Sequence, residues 1–244
     1  MNAAGPGGFD RCAARYHEQR PADGNWWELF ERLVSLGELR GQRVLELGCG
    51  TGRLSEALRE REHARVFALD ASPAMVEKAR ARGVNVRLGR AEALPFKPGY
   101  FDAVLMRMVL HLLDRPRALA QASRVLAPAG RVVIATEDPA SFEQVWFARY
   151  FPSVPALDGG RFPGAGQLAG ELAAAGLPSL RIEELHQQRT ISRAKALDII
   201  ESKAYSTFEL IEPAEYDEGL LRARAELPEE LHYRFDWLLA IATR

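Results

Sequence analysis

Three glycines at alternate positions form the part of the sequence best suited to hold a ligand. Gly48, Gly50 and Gly52 follow the apolar run 43–48 and precede the helix-like run 53–62. Glycines here permit positive φ and let a ligand lie against the backbone without meeting a Cβ. The helix behind them points its free N–H groups at the same place. The spacing differs from the G-x-G-x-x-G of dinucleotide-binding proteins, because Arg53 stands where that motif has its third glycine.

Strand-like and helix-like runs alternate on both sides of the glycines. Short apolar runs at 43–48, 65–70, 84–89, 101–108 and 131–137 predict strands, and 53–62, 73–82 and 115–127 predict helices. Ser72 and Pro73 are typical of a helix start, and Gly83 of a helix end. This alternation with short links predicts a parallel sheet covered by helices on both faces. Ligands of such sheets bind beyond the carboxyl ends of the strands, where the glycines lie.

The composition argues against several classes of function. The 244 residues carry a formal net charge of -1, so we expect no basic face for nucleic acid and no polybasic membrane anchor. No apolar run approaches the roughly 18 residues of a membrane span, and the first residues do not resemble a signal peptide. The two cysteines, Cys12 and Cys49, form no C-x-x-C pair, and no His/Cys cluster has metal spacing. We therefore expect a cytoplasmic monomer or homodimer without a metal.

Four sequence motifs together resemble one enzyme family. The segment "LELGCGTG" (45–52) resembles the first motif of class I S-adenosylmethionine-dependent methyltransferases. The resemblance continues through "ALDASPAMVEKAR", "GRAEALPF", "FDAVLMRMVLHLL" and "RVLAPAGRVVIATE", over about residues 43–138. Order and spacing are similar to the small-molecule (type 11) branch, which includes ubiquinone- and menaquinone-biosynthesis enzymes. The resemblance implies an α/β, Rossmann-like, doubly wound fold with a mostly parallel seven-stranded sheet, and S-adenosyl-L-methionine as cofactor.

Beyond Pro139 the alternation gives way to a different pattern. Helices are predicted at 141–151, 167–177, 192–204 and 213–227, and strands at 180–191 and 232–242. We predict one methyltransferase domain over residues 1–244. It consists of an N-terminal helical cap at 1–40, a cofactor-binding half at 41–139, and substrate-lid helices with the last two strands at 140–244.

The resemblance assigns cofactor contacts to residues of these motifs. Asp70, at the end of the second strand, would accept hydrogen bonds from the ribose hydroxyls, and its alternative role is helix capping. Met75 would cover the adenine, unless it is plain helix core. Tyr16 and Arg20, in "YHEQRP", would reach the methionyl carboxylate, unless they lie on a solvated helix face. The expected set around the cofactor is completed by Glu46, Gly48, Cys49, Gly50, Gly52, Ala71, Arg90, Ala91, Glu92, Met106 and Arg107.

Arg90 departs from the family pattern. Similar proteins carry "GDAE", whose aspartate accepts from the adenine amino group, whereas this chain carries "GRAE". Arginine has no acceptor atom. Arg90 would therefore stack on the adenine, or point away while Glu92 or a backbone carbonyl receives the amino group. Cys49 is expected to be a small packing residue rather than a nucleophile, although a helix N-terminus favours a thiolate.

Acceptor-side residues are expected near the fourth strand and in the C-terminal additions. His111 is the first candidate for a general base, because histidine titrates near neutral pH, with structural filling as the alternative. Tyr16, His17, Glu137 and Tyr205 are weaker candidates. Two aromatic clusters could line an apolar pocket under a lid, or form the core of the added helices. The acceptor contacts expected are His111, Phe142, Trp146, Tyr150, Tyr205 and Phe208.

The function expected from this reading is methyl transfer to the O, N or C atom of a small molecule by in-line displacement. One alternative is a nicotinamide-dependent oxidoreductase, against which the absent G-x-G-x-x-G argues. The other is a non-catalytic S-adenosylmethionine-binding protein. Methylation of RNA or protein is disfavoured, since the chain has no basic groove.

Overall fold

A seven-stranded sheet forms the centre of the protein. The computed structural model describes Tyr16 and residues 20–244. The strands follow the order β3-β2-β1-β4-β5-β7-β6, and all neighbouring pairs are parallel except the two that β7 makes. The predicted α/β fold and mostly parallel seven-stranded sheet are therefore confirmed. The strands are β1 (Arg43–Leu47), β2 (Arg65–Asp70), β3 (Val86–Leu88), β4 (Phe101–Arg107), β5 (Leu126–Glu137), β6 (Ser179–Ser192) and β7 (Glu230–Thr243).

Helices cover both faces of this sheet. Asp23 accepts a hydrogen bond from the Trp26 N–H at the start of the first helix, and Ser72 accepts one from Met75 N–H, as the Ser-Pro pair predicts. The rest of the predicted N-terminal cap, with Cys12 and His17, lies outside the described residues. The helices are α1 (Gly24–Gly37), α2 (Arg53–Glu62), α3 (Pro73–Ala81), α4 (Arg115–Val125), α5 (Val154–Gly159), α6 (Ala165–Ala174), α7 (Arg193–Glu201) and α8 (Pro213–Glu226).

Two predicted helices have different boundaries in the structure. Residues 141–151 do not form one helix, because a 3-10 helix at Pro139–Gln144 ends where Val145 turns extended. The segment that follows is a series of turns, and these turns, rather than one face of a helix, direct its aromatic side chains into the core. The helix predicted over 115–127 ends at Val125, and β5 begins at Leu126 instead of residue 131. Proline and glycine close behind Val125 cannot continue a helix, yet fit an irregular strand start.

The core has two layers because the central strands are buried on both faces. On one face, Val104 and Ile134 pack with α4 and α6, and on the other, Leu105 and Val133 pack with α1 and α2. This explains the continuous apolar runs in the sequence, which are typical of parallel strands with helices on each side. Among the described residues, no helix combines the length and apolar character that crossing a membrane requires.

β6 and β7 extend well past the strand that they border. β7 pairs with β5 only from Trp237 to Thr243, whereas its pairing with β6 continues to Glu230. Residues 186–192 and 230–236 therefore project beyond the carboxyl end of β5 as a two-stranded extension, which we call the ribbon. Its inner face carries Gln187, Arg189 and Tyr233, which are buried or half-buried, while its outer face is mostly exposed. The ribbon brings side chains from the C-terminal part of the chain to the edge where ligands bind.

Candidate active site

The glycine turn requires glycine for two separate reasons. Gly48 and Gly52 have φ of 69° and 79°, a region that L side chains rarely adopt. A Cβ on Gly48 would also lie 2.4 Å from Val109 Cγ2, and one on Gly52 would lie 2.9 Å from Ala79 Cβ. These two glycines therefore let the turn pack against the helix and loop behind it. At Gly50 the nearest atom to such a Cβ is the Tyr16 hydroxyl, at 4.0 Å, so this glycine faces the open side.

Asp70 is tied to the glycine turn at the end of β2. Its Oδ2 accepts a hydrogen bond from the Gly50 N–H at 2.7 Å, and its Oδ1 accepts one from the Ser72 N–H at 2.9 Å. The second bond leads into α3, so Asp70 has the helix-start role that was its alternative. The first bond fixes the carboxylate at the carboxyl edge of the sheet, beside the one glycine with open space. The ribose-binding role of Asp70 stays a prediction, which this fixed position at the glycine turn is compatible with.

A cavity beside the turn brings together six residues of the expected cofactor set. Trp26, Thr51, Arg53 and Leu54 also line it and were missed by the sequence analysis, although Thr51 and Arg53 directly adjoin the glycines. The N-terminal segment thus reaches the first strand's end, as the resemblance implies. The six expected residues are Tyr16, Arg20, Glu46, Gly48, Cys49 and Arg107.

Two charged side chains of this cavity, Glu46 and Arg107, are shielded from solvent, and burial shifts the pKa of each. Glu46 is buried and accepts a hydrogen bond from the Ser55 hydroxyl. Burial raises the pKa of Glu46 to about 7, although the Ser55 bond and the charge of Arg107 oppose the rise. Burial also lowers the pKa of Arg107. Within the part of the chain that the structure describes, Arg107 Nε and Arg20 Nη1 are buried without a hydrogen-bond partner.

Cys49 lies in the same wall but in an apolar environment. Its side chain packs with Ala68, Val76 and Val84. Burial and the charges of Glu46 and Asp70 raise the pKa of the Cys49 thiol, which disfavours the thiolate. The expectation of a packing role therefore agrees with its surroundings.

In the loop that follows β3, the Arg90 side chain points to solvent and the Glu92 side chain points inward. The Arg90 side chain is 62% exposed and its Nη2 lies 3.3 Å from Glu92 Oε1. Glu92 Oε1 also accepts from the Asp114 N–H, while Glu92 Oε2 is buried with no partner among the described residues. Ala91 between them is buried. Of the two alternatives for Arg90, this geometry favours the one in which Glu92 receives the adenine amino group.

Three further residues expected around the cofactor differ in their access to it. Ala71 is half-buried directly after Asp70, at the edge where the glycine turn lies. Met75 is 1% exposed, which agrees with the alternative that its side chain belongs to the core beneath α3. Its role as a cover for the adenine stays a prediction. Met106 is fully buried in the core on the α4 and α6 face of the sheet. Its side chain does not line the cavity, so that expectation is corrected: strand alternation turns Met106 inward and Arg107 toward the site.

Most of the aromatic residues expected to touch the acceptor form the core of the C-terminal additions instead. Tyr150 and Phe208 are 2% and 0% exposed, and pack with Trp146 in one apolar cluster. Phe142 is likewise buried, against Phe162. Tyr205 is half-buried, and its ring centroid lies 5.6 Å from Arg20 Cζ. The core alternative therefore describes four of these five rings, and Tyr205 is the one that reaches the cavity residues.

His111 and Glu137 have opposite electrostatic surroundings. His111 stacks on Phe162 with ring centroids 4.2 Å apart, and burial lowers its pKa to about 3, helped by the charge of Arg161. Such an imidazole holds a proton weakly, which is at odds with the expected base role. Glu137 ends β5 at the ligand edge, and burial raises its pKa to about 8, with Asp158 adding to the rise and Arg189 opposing it. Its titration range is suited to proton transfer near neutral pH.

The comparisons with known proteins agree with this geometry. Residues 45–134 match the model of a methyltransferase domain family. The demethylmenaquinone methyltransferase of Thermus thermophilus is 35% identical over 164 residues, which cover 56% of this chain and 74% of that protein. The chain belongs to the S-adenosylmethionine-dependent methyltransferase family. Its cofactor is accordingly S-adenosyl-L-methionine.

Two more comparisons define how far the likeness of this methyltransferase extends. A malonyl-[acyl-carrier protein] O-methyltransferase of Hahella chejuensis is 37% identical over 164 residues, which cover 62% of this chain and 56% of that protein. This chain therefore spans little more than half the length of that relative. The YcgJ protein of a Bacillus species superimposes with a TM-score of 0.62 at 20% identity, covering 89% of this chain and 98% of its own. That likeness shows the shared fold.

The described residues fit such a cofactor at both of its ends. Arg20 and Arg107 offer buried, unpartnered guanidinium nitrogens to a carboxylate, the strongest class of pairing for arginine. Glu92 offers a buried, unpartnered acceptor oxygen to an amino group. The glycine turn and Asp70 come between Arg20 and Glu92 in the sequence. Among the residues described, no group of His, Cys, Asp and Glu is arranged to hold a metal ion.

Proposed function

We propose that this methyltransferase transfers a methyl group from S-adenosylmethionine to a small-molecule acceptor. The observation that carries the proposal is the cavity in which Arg20, Arg107 and Glu46 meet the glycine turn, next to the fixed carboxylate of Asp70. Relatives named for demethylmenaquinone and for malonyl-[acyl-carrier protein] support a non-nucleic-acid acceptor. The domain reading, one unit with an N-terminal cap and a C-terminal lid, is part of the proposal.

The residues proposed to hold the cofactor divide into three groups. Arg20 and Arg107, with Tyr16, would bind the methionyl carboxylate, and Glu46 would face the methionyl ammonium. Asp70 would bind the ribose, and Ala71, Ala91 and Glu92 the adenine. When bound, the cofactor supplies an electrophilic methyl group on a sulfonium. The protein's contribution is to hold the acceptor in line with that methyl group and to exclude water.

Where the acceptor atom carries a proton, Glu137 is proposed as the group that receives it. Its carboxyl lies at the carboxyl end of β5, and its pKa of about 8 is near the operating range of a general base. His111, with a pKa of about 3, is proposed to pack the lid against the sheet through Phe162. The two assignments are separated by the pH dependence of turnover: Glu137→Gln should remove a limb near pH 8, and His111→Phe should retain it.

The proposed function is tested by ligand stabilisation followed by transfer. S-adenosylhomocysteine should raise the melting temperature in a concentration-dependent way, and NAD and NADP should not, because binding to the native state alone stabilises it. Incubation with S-adenosylmethionine labelled in the methyl group and a panel of small acids, phenols, amines and quinols should then give a labelled product. Stabilisation by the nicotinamide dinucleotides alone would support the oxidoreductase alternative. Binding without any transfer would support the non-catalytic one.

A further inference from the structure

Three arginines point their guanidinium groups into the space between the glycine turn and the inner face of the ribbon. Arg20 Nη1, Arg107 Nε and Arg189 Nε are all buried, and none has a hydrogen-bond partner among the residues that the structure describes. Other nitrogens of two of these groups are bonded, since Arg20 donates to the Ala204 carbonyl oxygen and Arg189 to Gln187 Oε1 and the Tyr233 side chain. Two guanidinium groups also lie near aromatic rings, with Arg189 Cζ 4.3 Å from the Phe235 centroid and Arg107 Cζ 5.6 Å from that of Trp237. Rings hold a cation in place but accept its N–H groups only weakly.

The charges of Arg20 and Arg189 both act on Arg107. Repulsion from Arg189 and Arg20 adds to burial in lowering the pKa of Arg107. Like charges this close, with little solvent between them, are costly unless anions lie near. The space is therefore adapted to receive negative charge.

The carboxyl groups facing the arginines offset these charges incompletely. Glu46 and Glu137 have pKa values raised to about 7 and about 8, so both are partly protonated at neutral pH. Asp23, near Tyr233, is exposed and accepts the Trp26 N–H at the start of α1. Asp158 and Asp236 also act on Glu137, but they are paired with Arg161 and Arg234. The carboxyls around the three arginines therefore leave part of their positive charge unbalanced.

The cofactor of the proposed function does not restore the balance either. Its methionyl carboxylate is one negative charge, which the paired position of Arg20 and Arg107 suits. Its ammonium and sulfonium are two positive charges. Arg189 lies further along the ribbon, opposite Tyr233 in the strand register, and has one N–H bonded to Gln187 Oε1. It is the arginine left for another ligand.

We propose that the methyl acceptor carries an oxyanion, a carboxylate or a phosphate, which binds to Arg189 on the inner face of the ribbon. Tyr233 lies opposite Arg189 in the strand register and is hydrogen-bonded to it, and burial raises the pKa of both Tyr233 and Tyr205 while the charge of Arg189 opposes the rise. Arginine suits this task, since its planar fork pairs with carboxylate and phosphate oxygens in a bidentate manner. This inference names a substrate class and rests on the proposed function.

The experiment measures anion binding to the complex with S-adenosylhomocysteine. Acetate, benzoate and decanoate are titrated against their amides, which match them in shape and lack the charge, and inorganic phosphate and phenyl phosphate form a second arm. Calorimetry and melting temperature are read for wild type, Arg189→Gln, Arg189→Lys and Arg234→Gln. The last variant removes an exposed arginine from the outer face of the same ribbon and serves as the matched control.

At least one carboxylate or phosphate should bind roughly tenfold or more tightly than its neutral partner, as expected for a charge-assisted hydrogen bond. Arg189→Gln should abolish that preference, Arg189→Lys should keep part of it, and Arg234→Gln should leave it unchanged. S-adenosylhomocysteine should bind all four proteins with the same affinity. The arm that binds decides between carboxylate and phosphate.

Two results would overturn the inference. One is that no anion in either arm binds better than its neutral counterpart, and the other is that Arg189→Gln retains the preference. Both are read in a protein that binds S-adenosylhomocysteine, so they count against the anionic acceptor alone. Failure of S-adenosylhomocysteine to bind wild type would instead count against the proposed function.

Discussion

The cofactor-binding half and the C-terminal additions of this methyltransferase use the same residue types in different ways. At residues 41–139, polar side chains and glycines at strand ends build a surface for a ligand, and apolar residues fill the two faces of one sheet. At residues 140–244, aromatic side chains that could have formed a binding surface are mostly consumed by a separate core. The part of this region that reaches the carboxyl ends of the strands is the polar inner face of the ribbon, where we propose that the acceptor binds. In this protein, the position of a residue at the end of a strand therefore predicts that it lines a pocket better than its being aromatic does.

The largest effect is expected from the core of the additions. Phe208→Ala should lower the free energy of unfolding by about 3–5 kcal/mol, because Phe208 is fully buried among Phe147, Phe151 and Tyr205. Urea denaturation measures the change. Affinity for S-adenosylhomocysteine should fall less than threefold in calorimetry, which corresponds to roughly 0.6 kcal/mol at most. A cofactor loss as large as the stability loss would show that the two regions act as one unit.

The next effect belongs to the cofactor-binding half. Asp70→Ala should weaken binding of S-adenosylhomocysteine by about 1–3 kcal/mol, the usual loss for a charged hydrogen-bond site. Asp70→Asn removes the charge but keeps one acceptor oxygen, for either the Gly50 or the Ser72 N–H group, so it retains more of the turn than Asp70→Ala does. Isothermal calorimetry gives both values, and Glu218→Ala, at an exposed position of α8, serves as the control. Unchanged affinity in Asp70→Ala would remove the ribose role.

A pH-dependent effect on stability is expected from Glu137. Its pKa is raised in the folded state to about 8, so the folded protein binds this proton more tightly than the unfolded chain does. Stability from this group is therefore present at low pH and declines as pH rises toward 8. Glu137→Gln should be more stable than wild type by about 1–3 kcal/mol at pH 8, and nearly equal to it at pH 5.

Urea unfolding of wild type and Glu137→Gln at pH 5, 6.5 and 8 tests this slope. Glu218→Gln, an exposed carboxyl removed from α8, should show no pH-dependent difference. If the difference between Glu137→Gln and wild type were constant over the range, Glu137 would titrate normally and its proposed role as a base would lose its basis.

The smallest effect is expected at the position that departs from the family pattern. Arg90→Asp should change affinity for S-adenosylhomocysteine by less than about threefold, since the Arg90 side chain is exposed and its ion pair with Glu92 is of the weak surface kind. Glu92→Ala should cost roughly tenfold, as the loss of a buried acceptor. Calorimetry on both variants ranks them. The reverse ranking would mean that Arg90 itself stacks on the adenine.

The sequence predicted the sheet because its strands are apolar runs separated by clear helix starts and stops, such as Ser72-Pro73 and Gly83. It placed Glu46 and Arg107 near each other because the ends of parallel strands meet at one edge, whereas Tyr16 and Arg20 were assigned to the same site only through the resemblance of "YHEQRP" to a family segment. It could not predict that Glu92 rather than Arg90 faces inward, since both lie in one loop. The spacing of residues in a loop does not determine which side chain points inward.

The remaining misjudgements concern long-range packing. Histidine in water has a pKa suited to a base, but burial and the charge of Arg161, both supplied by distant parts of the chain, lower the pKa of His111 to about 3. Arg189 gave no signal in the sequence, because its position depends on how far β6 and β7 project past β5. Such properties arise from tertiary contacts and not from spacing along the chain.

A crystal structure of the complex with S-adenosylhomocysteine tests the central claim most directly. The account predicts the ribose hydroxyls on Asp70, the methionyl carboxylate on Arg20 and Arg107, and the adenine amino group on Glu92. The sulfur should face the inner side of the ribbon. A ligand bound away from the glycine turn, or bound there with its ribose out of reach of the Asp70 carboxylate, would contradict it.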